Sequence, residues 1–246
     1  MYGISSGEPM KITNVTVTGI EEAILASGYA YRADFDDLDI ERQKGLLTKF
    51  IKAQEFCIDK TVLTDSEREW CEKQIKRMKT LGSCEGGESH DCALCGINVQ
   101  FDMTCPRLVM PEIQRYHFMD IVTASSTMHY LKRNVNAMLD DESRIGDFFC
   151  DYTDHRVVKA FLEVAKELLD KLPDDREKWD AGTNETVARL KAILPEGYMQ
   201  TTRITTNYRQ LKTWVRQRHN HPLQEWRDIC KWIHTLPLFD ALTEKN

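Results

Sequence analysis

The sequence predicts an α+β fold, on three observations. Residues 97–104 alternate apolar and polar side chains (Ile97, Val99, Phe101 and Met103 on one face), as a half-buried strand must. Two further stretches, 11–17 and the threonine-rich 198–206, read as strands. These strands are few and far apart, with long helical segments between them, which favours α+β over a doubly wound parallel sheet.

The elements follow in order. After the strand at 11–17 comes a helix near 19–28 and a second over about 38–55. Thr64 and Glu67 stand at capping-box spacing and open an amphipathic helix to about residue 80. Small and polar residues from Gly82 to Gly87 read as a flexible loop, so 82–95 is expected to be a loop that enters strand 97–104. A helix follows Pro106 and runs through Arg115, and two more cover 155–171 and 184–194, the second stopped by Pro195. Strand 198–206 leads into a helix from Asn207 to Arg218, and Pro222 starts a last helix at its first turn.

The chain has 246 residues, and no Pro/Gly/Ser-rich linker divides it, so one domain over 1–246 is expected. Hydrophobic residues make up 41% and charged residues 29%, the balance of a soluble protein with a core. A net charge of −6 argues against a general nucleic-acid surface but leaves room for a local basic pocket that takes a phosphate ester. No apolar run reaches membrane-spanning length, and the first residues lack the layout of a signal peptide. A cytoplasmic protein without membrane or nucleic-acid partners is expected, with its eight cysteines reduced.

Four segments carry candidate chemistry. Asn207, Leu211, Trp214, Val215 and Arg218 fall on one helix face, so an amide and a fixed cation bracket an apolar stripe. Such a face ends in a ligand site, or it is a surface helix whose arginine heads reach water. Arg115-Tyr116-His117 is followed after seven residues by Ser125-Ser126-Thr127-Met128-His129. That donor-rich set suits an anion, or it is a positively charged helix end followed by the cap of the next helix. Cys84, His90, Cys92 and Cys95, with Cys105 nearby, could hold zinc. No second spaced ligand pair follows, so reduced cysteines packed into loop and strand are the simpler reading, and no metal is assigned. His219 and His221 do not share a helix face and read as solvated loop residues. There is no Gly-x-Gly-x-x-Gly and no P-loop.

Two of these segments together resemble the flavin-dependent thymidylate synthases, the ThyX family. That family carries Arg-His-Arg, seven residues and a serine; here Arg115-Tyr116-His117 precedes Ser125 by the same interval, and Pro106 matches the family's proline nine residues upstream. In the second half, Lys191, Leu194-Pro195, Asn207-Tyr208-Arg209 and Arg218 match in order and spacing, and Gln224-Glu225-Trp226 resembles the family's Gln-Trp-Glu. The resemblance covers roughly residues 88–130 and 186–235.

It implies a homotetrameric ThyX-like fold, a central antiparallel sheet with long helices, in which FAD and dUMP meet at subunit interfaces. It implies one-carbon transfer from methylenetetrahydrofolate to C5 of a pyrimidine deoxynucleotide monophosphate, with NADPH as reductant and dTMP as product. By position, Arg115, Tyr116, His117, Asn207, Arg209 and His90 would contact FAD. Arg115, Ser125, Ser126 and Lys191 would hold the nucleotide, and Arg218 would be the catalytic cation on the pyrimidine, stabilising negative charge as it develops.

The departures are specific. Tyr116 replaces the middle histidine of the first motif and His117 its second arginine, a titratable group for a permanent charge. Thr127 stands for an arginine on the nucleotide phosphate, where His129 could substitute; Thr123 replaces a glutamate and Thr213 a flavin-side asparagine. Such drift fits a divergent, phage-borne branch that acts on dCMP or hydroxymethylates its pyrimidine. The alternatives of other classes are a catalytically silent nucleotide- or flavin-binding homologue and a zinc-containing interaction domain.

Overall fold

The computed structural model describes residues 10–31, 36–55, 63–85, 90–173, 178 and 180–244. Its centre is a four-stranded sheet of β1 (Lys11–Thr18), β2 (Asn98–Pro106), β3 (Asp120–Ala124) and β4 (Met199–Asn207), in the order β1-β2-β4-β3 with every pair antiparallel. Alternation decides which face is buried. Val99, Phe101, Met103 and Cys105 of β2 and Ile204 of β4 are all sealed from solvent, whereas Asn98, Gln100, Asp102 and Thr104 of β2 and Arg203 and Thr205 of β4 between them remain accessible.

One apolar core lies on that face, under α1 (Ile20–Ala26), α2 (Asp37–Glu55), α3 (Asp65–Gly82), α9 (Tyr208–Arg218) and α10 (Gln224–Ile233). A second core is helical. It joins α5 (Thr127–Asp140), α7 (His155–Leu169) and α8 (Ala181–Ala192), with Phe149 and Tyr198 between them. Along α7, Val158, Phe161, Leu162, Ala165 and Leu169 recur at helical spacing and supply its buried stripe.

Short helices complete the chain: α4 (Met110–Ile113), α6 (Ile145–Phe148) and α11 (Phe239–Thr243). The capping box is present, with Thr64 Oγ1 accepting from Glu67 N at 3.3 Å and Glu67 Oε2 accepting from Thr64 N at 2.8 Å. Gly19 has φ +84°, and a Cβ there would stand 2.3 Å from the Gly96 carbonyl oxygen, so both backbone and neighbour require glycine.

Several boundaries differ from the sequence reading. Residues 90–96 form a 3₁₀ helix rather than loop, since Asp91 and Leu94, three apart, both turn inward; 86–89 of the expected loop lie outside the described residues. The helix after Pro106 stops at Ile113, because the exposed Gln114 and Arg115 have no core to cover and Phe118 takes φ +59°. Strand β3 is not anticipated by the sequence, and α5 only by the alternative in which the Ser125–Thr127 run caps the next helix. Pro222 lies before α10 rather than in its first turn, because Leu223 is the N-cap. Among the described residues no helix is long and apolar enough to cross a membrane.

Candidate functional site

Strand β4 ends at Asn207 and α9 begins at Tyr208, so one junction sets the position of every polar residue on this helix. Asn207 Oδ1 caps α9 by accepting from Gln210 N at 3.0 Å, which leaves its amide nitrogen without a partner among the described residues. Leu211 and Trp214 are fully buried beneath the helix. Arg218, at its C-terminal end, is therefore delivered to the protein surface in a fixed orientation.

There Arg218 enters an aromatic cage. Its Nε donates to the Tyr116 hydroxyl at 2.8 Å and its Nη1 to Glu112 Oε2 at 3.2 Å. The guanidinium lies over the Trp226 ring at 4.8 Å and the Tyr116 ring at 5.6 Å. Glu112 Oε2 also accepts from Trp226 Nε1 at 2.7 Å and stands 3.5 Å from His221 Nε2. Tyr116 packs edge-on against Trp226 (63°) and tilted against Trp214 (48°), and its hydroxyl donates to Gln217 Oε1 at 3.0 Å. Nη2 of Arg218 makes no hydrogen bond among the described residues, so the cage fixes the plane of the cation while one edge stays available.

A second cluster sits toward the start of α9. Asp91, only 4% exposed in its side chain, accepts from Arg209 Nε at 2.9 Å and faces Lys212 Nζ at 3.4 Å. Lys212 also donates to the Gly82 carbonyl oxygen at 2.7 Å, which pins the end of α3 to α9. Partial burial works against the Arg209 charge, but Asp91 and the nearby sulfurs of Cys92 and Cys95 outweigh it and its pKa rises. Asp91, Lys212, Thr213, Arg216, His234 and Phe239 are among the residues that line a cavity of about 450 Å³. His90 is exposed beside it.

The third cluster is a cleft of about 280 Å³ at the start of α5, lined by Ser125, Ser126, Thr127, Arg133, Tyr198 and Thr201 among others. Ser125 is held on the end of β4: its N donates to the Thr201 carbonyl at 2.8 Å and its Oγ accepts from Thr201 N at 3.2 Å. Ser126 occupies the N-cap position of α5 with no side-chain cap bond. Arg133, stacked 4.9 Å over Tyr130, brings a cation into this cleft. Burial raises the Tyr198 pKa, while its hydrogen bond from Asn134 at 2.7 Å works the other way.

The structure thus brings Tyr116 to Arg218 and the segment after His90 to Arg209. Arg115, His117 and Lys191 are exposed and make no side-chain hydrogen bond or ion pair among the described residues. No hydrogen bond or ion pair among the described residues links the Ser125 cleft to the Arg218 cage. The His129 side chain lies outside the described residues. Cys84, His90, Cys92 and Cys95 do not converge on one point; among the described residues the group with metal-ligand proximity is His234, Asp240 and Glu244, within 4.8 Å of one another. Sequence reasoning missed Glu112 and Arg133. Arg133 had a signal, since Ser126, Tyr130 and Arg133 share a helix face; Glu112 had none, because only the tertiary fold sets it beside Arg218.

The four-stranded antiparallel sheet with long helices over one face is shared with solved structures. Two solved structures make the likeness specific. The flavin-dependent thymidylate synthase ThyX from Helicobacter pylori complexed with FAD and dUMP is similar at TM-score 0.59 and 16% identity, over 94% of this chain and 98% of that one. A second structure of thymidylate synthase X from Helicobacter pylori, with FAD and dUMP, gives 0.58 and 16%, over 94% and 99%. No protein-family model and no curated protein sequence matches the chain. At this identity the likeness establishes the fold.

Proposed function

We propose that this chain is a flavin-dependent enzyme that transfers one carbon from methylenetetrahydrofolate to C5 of a pyrimidine deoxynucleotide, dUMP to dTMP, with NADPH as reductant. The observation that carries the reading is the contact between Arg218 and Tyr116, because it joins the two separate motifs expected to serve one site. The fold supports it further, since similar structures hold FAD and dUMP.

The donor set fits an anionic flavin and a nucleotide. The amide nitrogen of Asn207, unpaired among the described residues, the Arg209 guanidinium and the exposed Arg115, His117 and His90 are all donors or cations, and the buried acid among them, Asp91, is already paired. Bound FAD would supply two-electron redox chemistry. Arg218 would direct its open Nη2 edge at the pyrimidine and stabilise negative charge there, with Tyr116, Glu112 and Trp226 keeping the guanidinium from turning away. Ser125, Ser126 and Arg133 would hold the phosphate through hydroxyls and a fixed cation, and Lys191 would add a second charge.

The separation of the Ser125 cleft from the Arg218 cage supports a site completed by a second copy, as in a homotetramer. The edge strand β3 and the turn before it offer a surface for that: Val122 on the strand is 60% and Phe118 in the turn 76% exposed. A cytoplasmic location belongs to the same proposal. Titrating the purified, flavin-loaded protein with dUMP and then dCMP tests it: a perturbed flavin spectrum and raised melting temperature are expected. A protein that neither binds FAD nor responds to a mononucleotide would overturn the reading.

A further inference from the structure

The 3₁₀ helix at 90–96 carries a feature that flavin or nucleotide binding does not need. In this helix the burial repeats every three residues: Asp91 and Leu94 turn inward, and Cys92 and Cys95 turn outward and are exposed. Side chains three apart eclipse in a 3₁₀ helix, and three steps of about 2.0 Å put the two Cα atoms about 6 Å apart. That lies inside the window of roughly 4.4–6.8 Å that a disulfide requires. A second observation agrees. Both thiols act on one group: after Asp91, Cys92 and Cys95 help to raise the pKa of the Arg209 guanidinium, Cys95 partly as a hydrogen-bond partner. The neighbouring Cys84 is engaged elsewhere, its Sγ donating to the Thr80 carbonyl oxygen at 3.3 Å.

We infer that Cys92 and Cys95 are a redox-active dithiol that closes to an intramolecular disulfide by exchange with a small organic disulfide such as oxidised glutathione. One cysteine sulfur, as thiolate, attacks a glutathione sulfur, breaks the S–S bond and releases glutathione thiolate. The second protein sulfur then attacks the first, displacing the remaining glutathione. The protein thiols lose two electrons and two protons, and glutathione disulfide gains both as two thiols. Arg209 stabilises the negative charge spread over the exchanging sulfurs, because its positive charge is fixed in place by Asp91. Closing the disulfide takes the Cys95 thiol from Arg209; resting on the proposed function, this makes flavin affinity depend on the dithiol state.

The test is to incubate the purified protein, alone and with saturating FAD, in oxidised glutathione, then to assign each cysteine by differential alkylation and peptide mass spectrometry. Cys92 and Cys95 are expected to disappear together, with no glutathione retained. The Cys92→Ser and Cys95→Ser variants are expected to stop at one bound glutathione per chain. Retention of glutathione on both cysteines of the unaltered protein, pairing of either with Cys84, or no reaction in the native protein would overturn the inference. So would one equivalent of zinc held by the two thiols in place of a disulfide. Oxidation that proceeds as expected but is indifferent to bound FAD would leave the dithiol standing and overturn its link to flavin affinity, whereas a protein that takes up no FAD would count against the flavin reading alone.

Discussion

Arg218 Nε donates to the Tyr116 hydroxyl across 2.8 Å, joining residues that lie 102 positions apart in the chain. Tyr116 stands where the resembled family has histidine, and its ring and hydroxyl together orient the arginine. In Tyr116→Phe the ring contacts with Trp214 and Trp226 survive and only the hydroxyl is lost. We expect a stability cost of about 1 kcal/mol, since Arg218 keeps Glu112. Turnover should fall by about ten-fold or more while FAD affinity stays within about two-fold, the split expected when a positioning contact is lost. Equal losses in both would place Tyr116 on the flavin instead.

Asp91 is the anchor of the other cluster. Asp91→Asn leaves Arg209 and Lys212 without their counter-charge, but these cations are 32% and 18% exposed, so water screens part of the loss. About 1–3 kcal/mol is expected, a drop in melting temperature of roughly 3–10 °C for a chain of this size. Thermal denaturation with and without FAD checks this, and an unchanged melting temperature would contradict the role assigned to Asp91.

Cys105 lies fully buried, and burial, followed by the Glu225 charge, pushes its pKa from the ordinary 9.0 up to about 12. Glu225 is itself 1% exposed, accepts from the Tyr152 hydroxyl, and has an Oε2 with no partner among the described residues. Cys71 and Cys230 are likewise raised, to about 11, chiefly by burial. A raised folded-state pKa means that the folded protein keeps its thiol proton after the unfolded chain has lost it. The contribution is therefore fully present below pH 9 and declines toward pH 12. Stability measured by urea denaturation should fall between pH 9 and 11, and less steeply in Cys105→Ala. At pH 8 these three thiols should alkylate at least about ten-fold more slowly than Cys92 and Cys95.

Much of this was legible in the chain. β2 announced itself because one of its faces is buried and the other wet, and the Thr64–Glu67 box named its own helix. β3 could not be read, because all five of its residues are exposed and only pairing with β4 makes them a strand. Helix α5 did carry a stripe, Leu131, Val135 and Met138, but the hydroxyl run before it drew the reading toward a ligand. The face from Asn207 to Arg218 was visible from helical spacing, whereas its supports, Glu112 and Trp226, come from elements that only the tertiary fold assembles. Asn207 shows the limit in the other direction: one half of its amide is a helix cap, which spacing alone does not separate from a ligand contact.

Assembly has its own test. Val122→Lys places a charge on the exposed edge strand without touching either core. We expect the unaltered protein to sediment as a tetramer, and the variant as smaller species with unchanged circular dichroism and greatly reduced turnover. A variant that keeps its mass would move the interface elsewhere.

The central claim is that Arg218 serves chemistry at C5 of a pyrimidine. Tritium release from C5-labelled dUMP, and in parallel dCMP, with flavin-loaded protein, methylenetetrahydrofolate and NADPH measures it directly. The account predicts release with the unaltered protein and none with Arg218→Ala, whose FAD should remain bound. No release from either nucleotide by folded, flavin-loaded protein would contradict it.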